Sequence, residues 1–154
     1  MGRVLCLDVG KKRVGVAASD PLGLIAQPVE TISRKPHGLF LEKIRSLAKE
    51  LGANLVVIGL PRRTDGRLGP EAQAAMALAH EIKTKLGLET ATFDERLTTV
   101  LASRILTEAG LGAQAKKKAV DQAAAALILT GYLDKQKAGA AEGAKAPPGS
   151  GDGI

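Results

Sequence analysis

The sequence predicts an α/β fold in which a mixed five-stranded sheet carries helices on both faces. Three apolar segments separated by tight turn signals occupy the first 32 residues, which is typical of three antiparallel strands. Beyond them, apolar residues at helical spacing alternate with short apolar runs, which favours a parallel β-α-β arrangement.

The first three strands are predicted from their apolar runs. Residues 3–8 (RVLCLD) are apolar almost up to the final acid, as in a strand that is buried on both faces. A turn over 10–13 leads to a second strand over 14–18, and turn signals within 20–23 precede an extended segment over 24–32.

The rest of the chain alternates between helical and extended patterns. Apolar residues recur at helical spacing from Phe40 to Leu51, and Gly52 stands where a C-terminal cap belongs. The later predicted elements are a strand over 54–59, a helix over 72–86, a strand over 88–93, a helix over 97–109 and a helix from about 116 onward.

Length and composition narrow the class of protein. The 154 residues suit one domain, predicted over 1–135, with a disordered Gly/Ala/Pro-rich tail over 136–154. The single cysteine, Cys6, excludes a disulfide framework and a Cys-rich zinc module. Because the apolar runs are too short to span a bilayer and the first one stops at Asp8, we expect a cytoplasmic protein without a membrane partner.

The charge balance favours a polyanionic partner. With 22 Lys+Arg against 16 Asp+Glu, the net charge is +6, and nucleic acid is the first candidate. The only aromatic residues are Phe40, Phe93 and Tyr132, too few for a platform on which bases could stack. We therefore expect contacts with phosphates and recognition of shape.

Acidic residues converge on one edge of the predicted sheet. Asp8 ends the first strand, and Asp94 and Glu95 end the last one. Asp121 lies on the final helix with apolar residues on the same face, so its side chain should point toward the sheet. Such carboxylates can hold Mg²⁺ or Mn²⁺. Two ions about 3.5–4 Å apart can activate water for phosphodiester hydrolysis. A structural alternative stays open, since Asp8, Asp94 and Asp121 could each be a solvated turn residue or a helix cap. Asp94 in particular could cap the helix that begins near Leu97.

Basic residues adjoin each acid in the predicted layout. Those next to the acids or in the loop after the fourth strand are Lys11, Lys12, Arg13, Arg62, Arg63, Arg67, Arg96 and Lys116 to Lys118. Lys and Arg side chains there could hold a nucleic-acid backbone over a metal site without reading its sequence. For the lysine run alone, a solvated helix face is the simpler interpretation.

Four segments between residues 3 and 133 resemble, in order, the signature blocks of the YqgF/RuvX family: LDVGKKRVGVAASDPLGLIAQP, VVIGLP followed by DGR, FDERLTT, and KKAVDQAAAALIL. This family has an RNase H-like fold. It is described as a Holliday junction resolvase and as a nuclease that matures the 5′ end of the 16S ribosomal RNA precursor.

The resemblance implies that Asp8, Glu95 and Asp121 are the catalytic and metal-binding acids, and two Mg²⁺ or Mn²⁺ ions are the cofactors that such acids would hold. Their place beside these acids, and not the resemblance, makes Lys11, Lys12, Arg13, Arg62, Arg63 and Arg96 the candidates for substrate contact. In the family the loop after the fourth strand is commonly more apolar, so Arg62 and Arg63 are a departure that adds positive charge. RNase H-like nucleases usually place an acid at the end of the fourth strand, where this chain has Gly59-Leu60-Pro61. Glu95 from the next strand would have to replace it.

Three functions compete at this stage. The first is a metal-dependent endonuclease, a hydrolase of ester bonds that processes pre-16S rRNA or, as a homodimer, cuts four-way DNA junctions. The second is an ATP-binding protein of the sugar-kinase and actin type, suggested by Asp8-Val9-Gly10 but needing a second domain for which the length leaves no room. The third is a non-catalytic RNA-binding adaptor, which the basic charge supports equally well.

Overall fold

A computed structural model describes residues 2–61, 67–95 and 123–137. Within these ranges the strands and helices follow the predicted order. They are β1 (Arg3–Val9), β2 (Arg13–Ser19), β3 (Ala26–Ser33), α1 (His37–Leu51), β4 (Ala53–Leu60), α2 (Pro70–Glu81) with a π-helical turn (Ile82–Leu86), β5 (Glu89–Asp94) and helical residues 123–137, called α3.

The sheet has the strand order β3-β2-β1-β4-β5. β1, β2 and β3 pair antiparallel, whereas β4 pairs parallel to both β1 and β5. The predicted mixed five-stranded sheet is therefore confirmed. The carboxyl ends of β1, β4 and β5 lie at one edge, which we call the carboxyl edge, and the end of β3 lies there too.

Helices cover both faces of the sheet, as predicted. On one face, α1 and α2 pack against Leu5, Leu7 and Ile58. On the other face, α3 packs against Cys6, Val57 and Phe93. Alternation of side chains along each strand assigns successive residues to these two layers, and Cys6 is fully buried, as expected of a core residue.

The third strand begins later than predicted, at Ala26 instead of residue 24. The Asp20 carboxylate accepts hydrogen bonds from the backbone N–H groups of Leu24 and Ile25, at 2.7 and 2.8 Å. Both apolar side chains are exposed. The side-chain cap therefore extends the turn through residues whose composition suggested a strand.

Glycines end both helical segments on the first face, as the sequence predicts. Gly52 has φ 66° after α1, and Gly87 has φ 71° after the π-helical turn. Such left-handed conformations suit glycine because it has no Cβ. The predicted helix over 72–86 is thus helical throughout, but it starts earlier, at Pro70, and its last turn widens.

Several predictions fall outside the described residues. They include the helix over 97–109, the start of the last helix and most of the tail, so the domain boundary at residue 135 stays a prediction. Among the residues that the structure does describe, no helix has both the length and the apolarity needed to cross a membrane.

Candidate active site

Two of the predicted acids, Asp8 and Glu95, are buried at the carboxyl edge. Asp8 is 3% exposed and Glu95 is 6% exposed. In β1, Asp8 lies two residues after Cys6 and therefore on the face that α3 covers. Glu95 immediately follows β5, two residues after Phe93, which belongs to the same layer. The structure thus brings these two carboxylates to one edge and one face.

The strand β4 lies between the two acids and has a glycine, Gly59, at the same register. Leu7 pairs with Ile58, so the parallel register continued by one residue places Asp8 beside Gly59. Gly59 in turn pairs with Phe93. The backbones of β1 and β5 are two strand spacings apart, about 10 Å, which is within the combined reach of an aspartate and a glutamate side chain.

The Glu95 carboxylate extends over Gly59. A Cβ added at Gly59 would lie 3.2 Å from Glu95 Oε2 and 2.7 Å from Ile128 Cδ1 of α3. The glycine therefore leaves the space that Glu95 uses. The end of the fourth strand, which lacks an acid of its own, thus has the carboxylate of Glu95 beside it.

Burial and charge both act on Glu95. Desolvation, and then the negative charge of Asp94, raise the pKa of Glu95 from its ordinary value of 4.5 to about 7. Burial, and then the charge of Glu95, raise the pKa of the Cys6 thiol above its usual range. The site thus favours a proton or a cation at Glu95 near neutral pH.

Asp94 is half-buried at the end of β5. Its carboxylate is close enough to Glu95 to raise the pKa of that group. The helix that it could cap lies outside the described residues, so both interpretations of Asp94, a ligand and a cap, stay open.

Gly59→Ala tests the space over which Glu95 extends. We expect the new Cβ to displace Ile128 or Glu95 and to lower the free energy of unfolding by about 1–3 kcal/mol, as overpacked sites do. The nucleolytic cleavage expected from the sequence should also fall, because the carboxylate moves. Denaturant unfolding and cleavage rates measure the two effects.

A matched control for that variant is Gly38→Ala in α1, where an added Cβ meets nothing within 4 Å. It should retain activity. Full activity in Gly59→Ala would mean that the position of Glu95 does not depend on Gly59.

Three predicted substrate-binding residues follow Asp8 at the same edge. Lys11 and Lys12 are exposed in the β1–β2 turn, and Arg13 is half-buried at the start of β2. These three residues therefore lie at the same edge of the sheet as the buried acids. Arg62, Arg63, Arg96 and the lysines at 116–118 lie outside the described residues, as does Asp121.

Two further cations at this edge were not predicted from the sequence. Arg34 and Lys35 follow β3, and the backbone N–H of Arg34 donates to Lys12 O at 3.0 Å. The predicted strand order already implied this position, because in a three-stranded antiparallel meander the first and third strands end at the same edge of the sheet.

The donor chemistry of Asp8 and Glu95 fits a divalent cation of the magnesium type. Both supply carboxylate oxygens, the ligands that Mg²⁺ and Mn²⁺ prefer. Within the described ranges, no group of three or more His, Cys, Asp or Glu side chains is placed to hold a metal ion. Asp121, the third acid that the sequence predicts for the metal, lies outside the described residues.

Relatives of similar length match most of the chain. A protein of Moorella thermoacetica named "Putative pre-16S rRNA nuclease" is 46% identical over 133 residues, which cover 86% of this chain and 95% of the relative. A Clostridioides difficile protein of the same name is 43% identical, covering 86% of this chain and 94% of its own.

Solved structures show the same fold. The structure titled "T. thermophilus RuvC in complex with Holliday junction substrate" aligns with a TM-score of 0.53 at 13% identity, over 89% of this chain and 96% of that one. The structure titled "Thermus thermophilus RuvC structure" also gives a TM-score of 0.53, at 12% identity over 88% of this chain and 96% of that one. The expected RNase H-like fold is confirmed.

The family described as "RuvX: Holliday junction resolvase" matches residues 2–135. The predicted enzyme class, a hydrolase acting on ester bonds, is the class of that family. The sequence match, the relatives and the fold agree, and the chain belongs to the RuvX (YqgF) family of nucleases.

Proposed function

We propose that this chain is a divalent-metal-dependent endonuclease that processes the 5′ end of pre-16S rRNA. The observation that carries the proposal is the pair of buried carboxylates, Asp8 and Glu95, on one face of the carboxyl edge. The names of relatives at 46% and 43% identity favour the ribosomal RNA precursor as substrate. A cytoplasmic location belongs to the same proposal.

In this proposal Asp8 and Glu95, together with Asp121, hold the metal. A bound divalent ion would lower the pKa of water and neutralise charge on the phosphate. The chain's own contribution is to fix the two carboxylates from the rigid ends of β1 and β5 and to shield them from solvent. Lys11, Lys12 and Arg13, together with Arg62, Arg63 and Arg96, would hold the substrate backbone nearby.

Cleavage of a four-way DNA junction is the second candidate. It is favoured by the family description and by the likeness in fold to RuvC, whose structure contains a Holliday junction. Symmetric cutting of a junction needs two active sites, so this candidate also requires a homodimer. A monomer in solution would favour the RNA substrate.

Side-by-side cleavage of the two substrates tests the proposal. We expect the purified protein to cut a pre-16S rRNA fragment at its 5′ processing site in Mg²⁺ or Mn²⁺, and to stop when EDTA removes the metal. Preferential cutting of the four-way junction would contradict the RNA substrate and favour the function of a junction resolvase. RNA binding without cleavage of either substrate would leave a non-catalytic adaptor.

A further inference from the structure

A basic groove lies beside the candidate active site, between the β1–β2 turn and the connection from β3 to α1. Its cavity has a volume of about 300 Å³. Four cations and one hydroxyl line it: Lys11, Lys12, Ser33, Arg34 and Lys35. No carboxylate from the described residues is part of this lining. The groove therefore concentrates positive charge from two separate segments of the chain.

Backbone hydrogen bonds hold the groove in shape. The Gly10 N–H donates to Arg13 O at 2.8 Å, which closes the turn. The Arg34 N–H donates to Lys12 O at 3.0 Å, and Arg34 Nη1 donates to Gly10 O at 2.9 Å. Because these bonds join the two segments, their backbones and the Arg34 guanidinium group are held at fixed relative positions.

The charge of the groove favours an anion. Two described lysines elsewhere in the chain lie in ion pairs, Lys43 with Glu30 at 3.5 Å and Lys85 with Glu81 at 3.0 Å. In the described ranges, no ion pair of this kind involves the four groove cations. Like charges held close together repel one another, so a bound anion would relieve repulsion that the fold itself imposes.

We propose that the basic groove binds the phosphodiester backbone of a nucleic-acid strand on the β3 side of the cleavage site. The proposal rests on the proposed nuclease function. β3 lies two strand spacings from β1, about 10 Å, at the same edge as Asp8. A strand whose reacting phosphate lies at Asp8 would therefore reach the groove within a few nucleotides.

The occupant is a backbone and not a single phosphate because the cations are spread over two segments. Contacts of this type position a strand without reading its bases. This agrees with the scarcity of aromatic residues, which leaves little capacity for base stacking. Arg34 and Lys35 thereby become positioning residues for the substrate, on the opposite side of β1 from Glu95.

The test combines Arg34→Gln with Lys35→Gln and measures binding by fluorescence anisotropy at several salt concentrations. A labelled pre-16S rRNA fragment and a labelled four-way DNA junction serve as ligands, with EDTA preventing cleavage. We expect about a tenfold loss of affinity at low salt. The slope of log K against log salt should become shallower by about 1.4–1.8, the value for two lost phosphate contacts.

The matched control combines Lys49→Gln with Lys83→Gln. Both residues are exposed lysines near the opposite edge of the sheet, so the variant changes the net charge equally. Its affinity should stay within about twofold of the wild type. Lys35→Gln alone leaves the hydrogen bond from Arg34 to Gly10 O intact. It should change the slope of log K against log salt by about half as much as the double variant does.

Parallel cleavage assays of the wild type keep the two proposals apart. If the wild type cleaves a substrate but the groove variant binds both ligands as the control does, the groove proposal is overturned and the nuclease proposal stands. If the wild type neither binds nor cleaves RNA or junction, both proposals fail. A loss of affinity for only one ligand identifies which backbone the groove holds.

Discussion

Asp8→Asn is expected to lower kcat/KM for nucleic-acid cleavage by at least about 100-fold. Even residues that only support a metal ligand typically cost 10–100-fold when they are changed, and we place Asp8 among the ligands themselves. The amide has the same shape as the carboxylate but lacks its negative charge. Cleavage rates at saturating Mn²⁺, measured beside the wild type, test this expectation.

The fold of the Asp8→Asn variant should be preserved. Asp8 is buried in β1, so an uncharged isostere removes no packing volume and no buried cavity forms. Circular dichroism and a melting temperature near that of the wild type would show that lost activity reflects lost chemistry. Wild-type rates in a properly folded variant would remove Asp8 from the mechanism.

Glu95→Gln is expected to stabilise the metal-free protein at pH 8 while destroying its activity. Burial and the charge of Asp94 raise the pKa of Glu95 to about 7, so ionising this group costs folding free energy above that pH. Removing the charge should raise the free energy of unfolding by about 1–3 kcal/mol at pH 8. Urea unfolding in EDTA gives the number.

The raised pKa of Glu95 also sets the direction in which the free energy of unfolding changes with pH. Its folded pKa lies above its ordinary value of 4.5, so its favourable contribution is complete below pH 4.5 and is lost as the pH rises through about 7. The difference between variant and wild type should therefore grow over that interval and then level off. Glu89→Gln, an exposed change on the same strand, is the control and should show no such growth.

Much of the fold could be predicted because strong local patterns specify it. The αL glycine at Gly52 and the alternation of helices and strands after α1 both follow from local sequence. The start of β3 could not be predicted in this way. It depends on the Asp20 carboxylate, which captures the N–H groups of Leu24 and Ile25 and makes two strand-like residues part of a turn.

The sequence predicted which acids form the candidate site, but it did not predict the strand register and packing around them. Asp8 and Glu95 were found because they follow apolar strands. The role of Gly59 depends on the register of three strands and on the packing of Ile128 from a distant helix, which no local pattern encodes. The predicted meander could have placed Arg34 at this edge, but its hydrogen bonds to Lys12 and Gly10 follow from tertiary pairing of the β1–β2 turn with the segment after β3.

In the proposed function, Asp8 and Glu95 together hold a divalent cation. Calorimetric titration of the metal-free protein with Mn²⁺ tests it without any substrate, using the wild type, Asp8→Asn, Glu95→Gln and the Glu89→Gln control. We predict that the wild type and the control bind Mn²⁺ equally, and that each of the other two variants loses at least about tenfold in affinity. Equal Mn²⁺ affinity in all four proteins would contradict the claim.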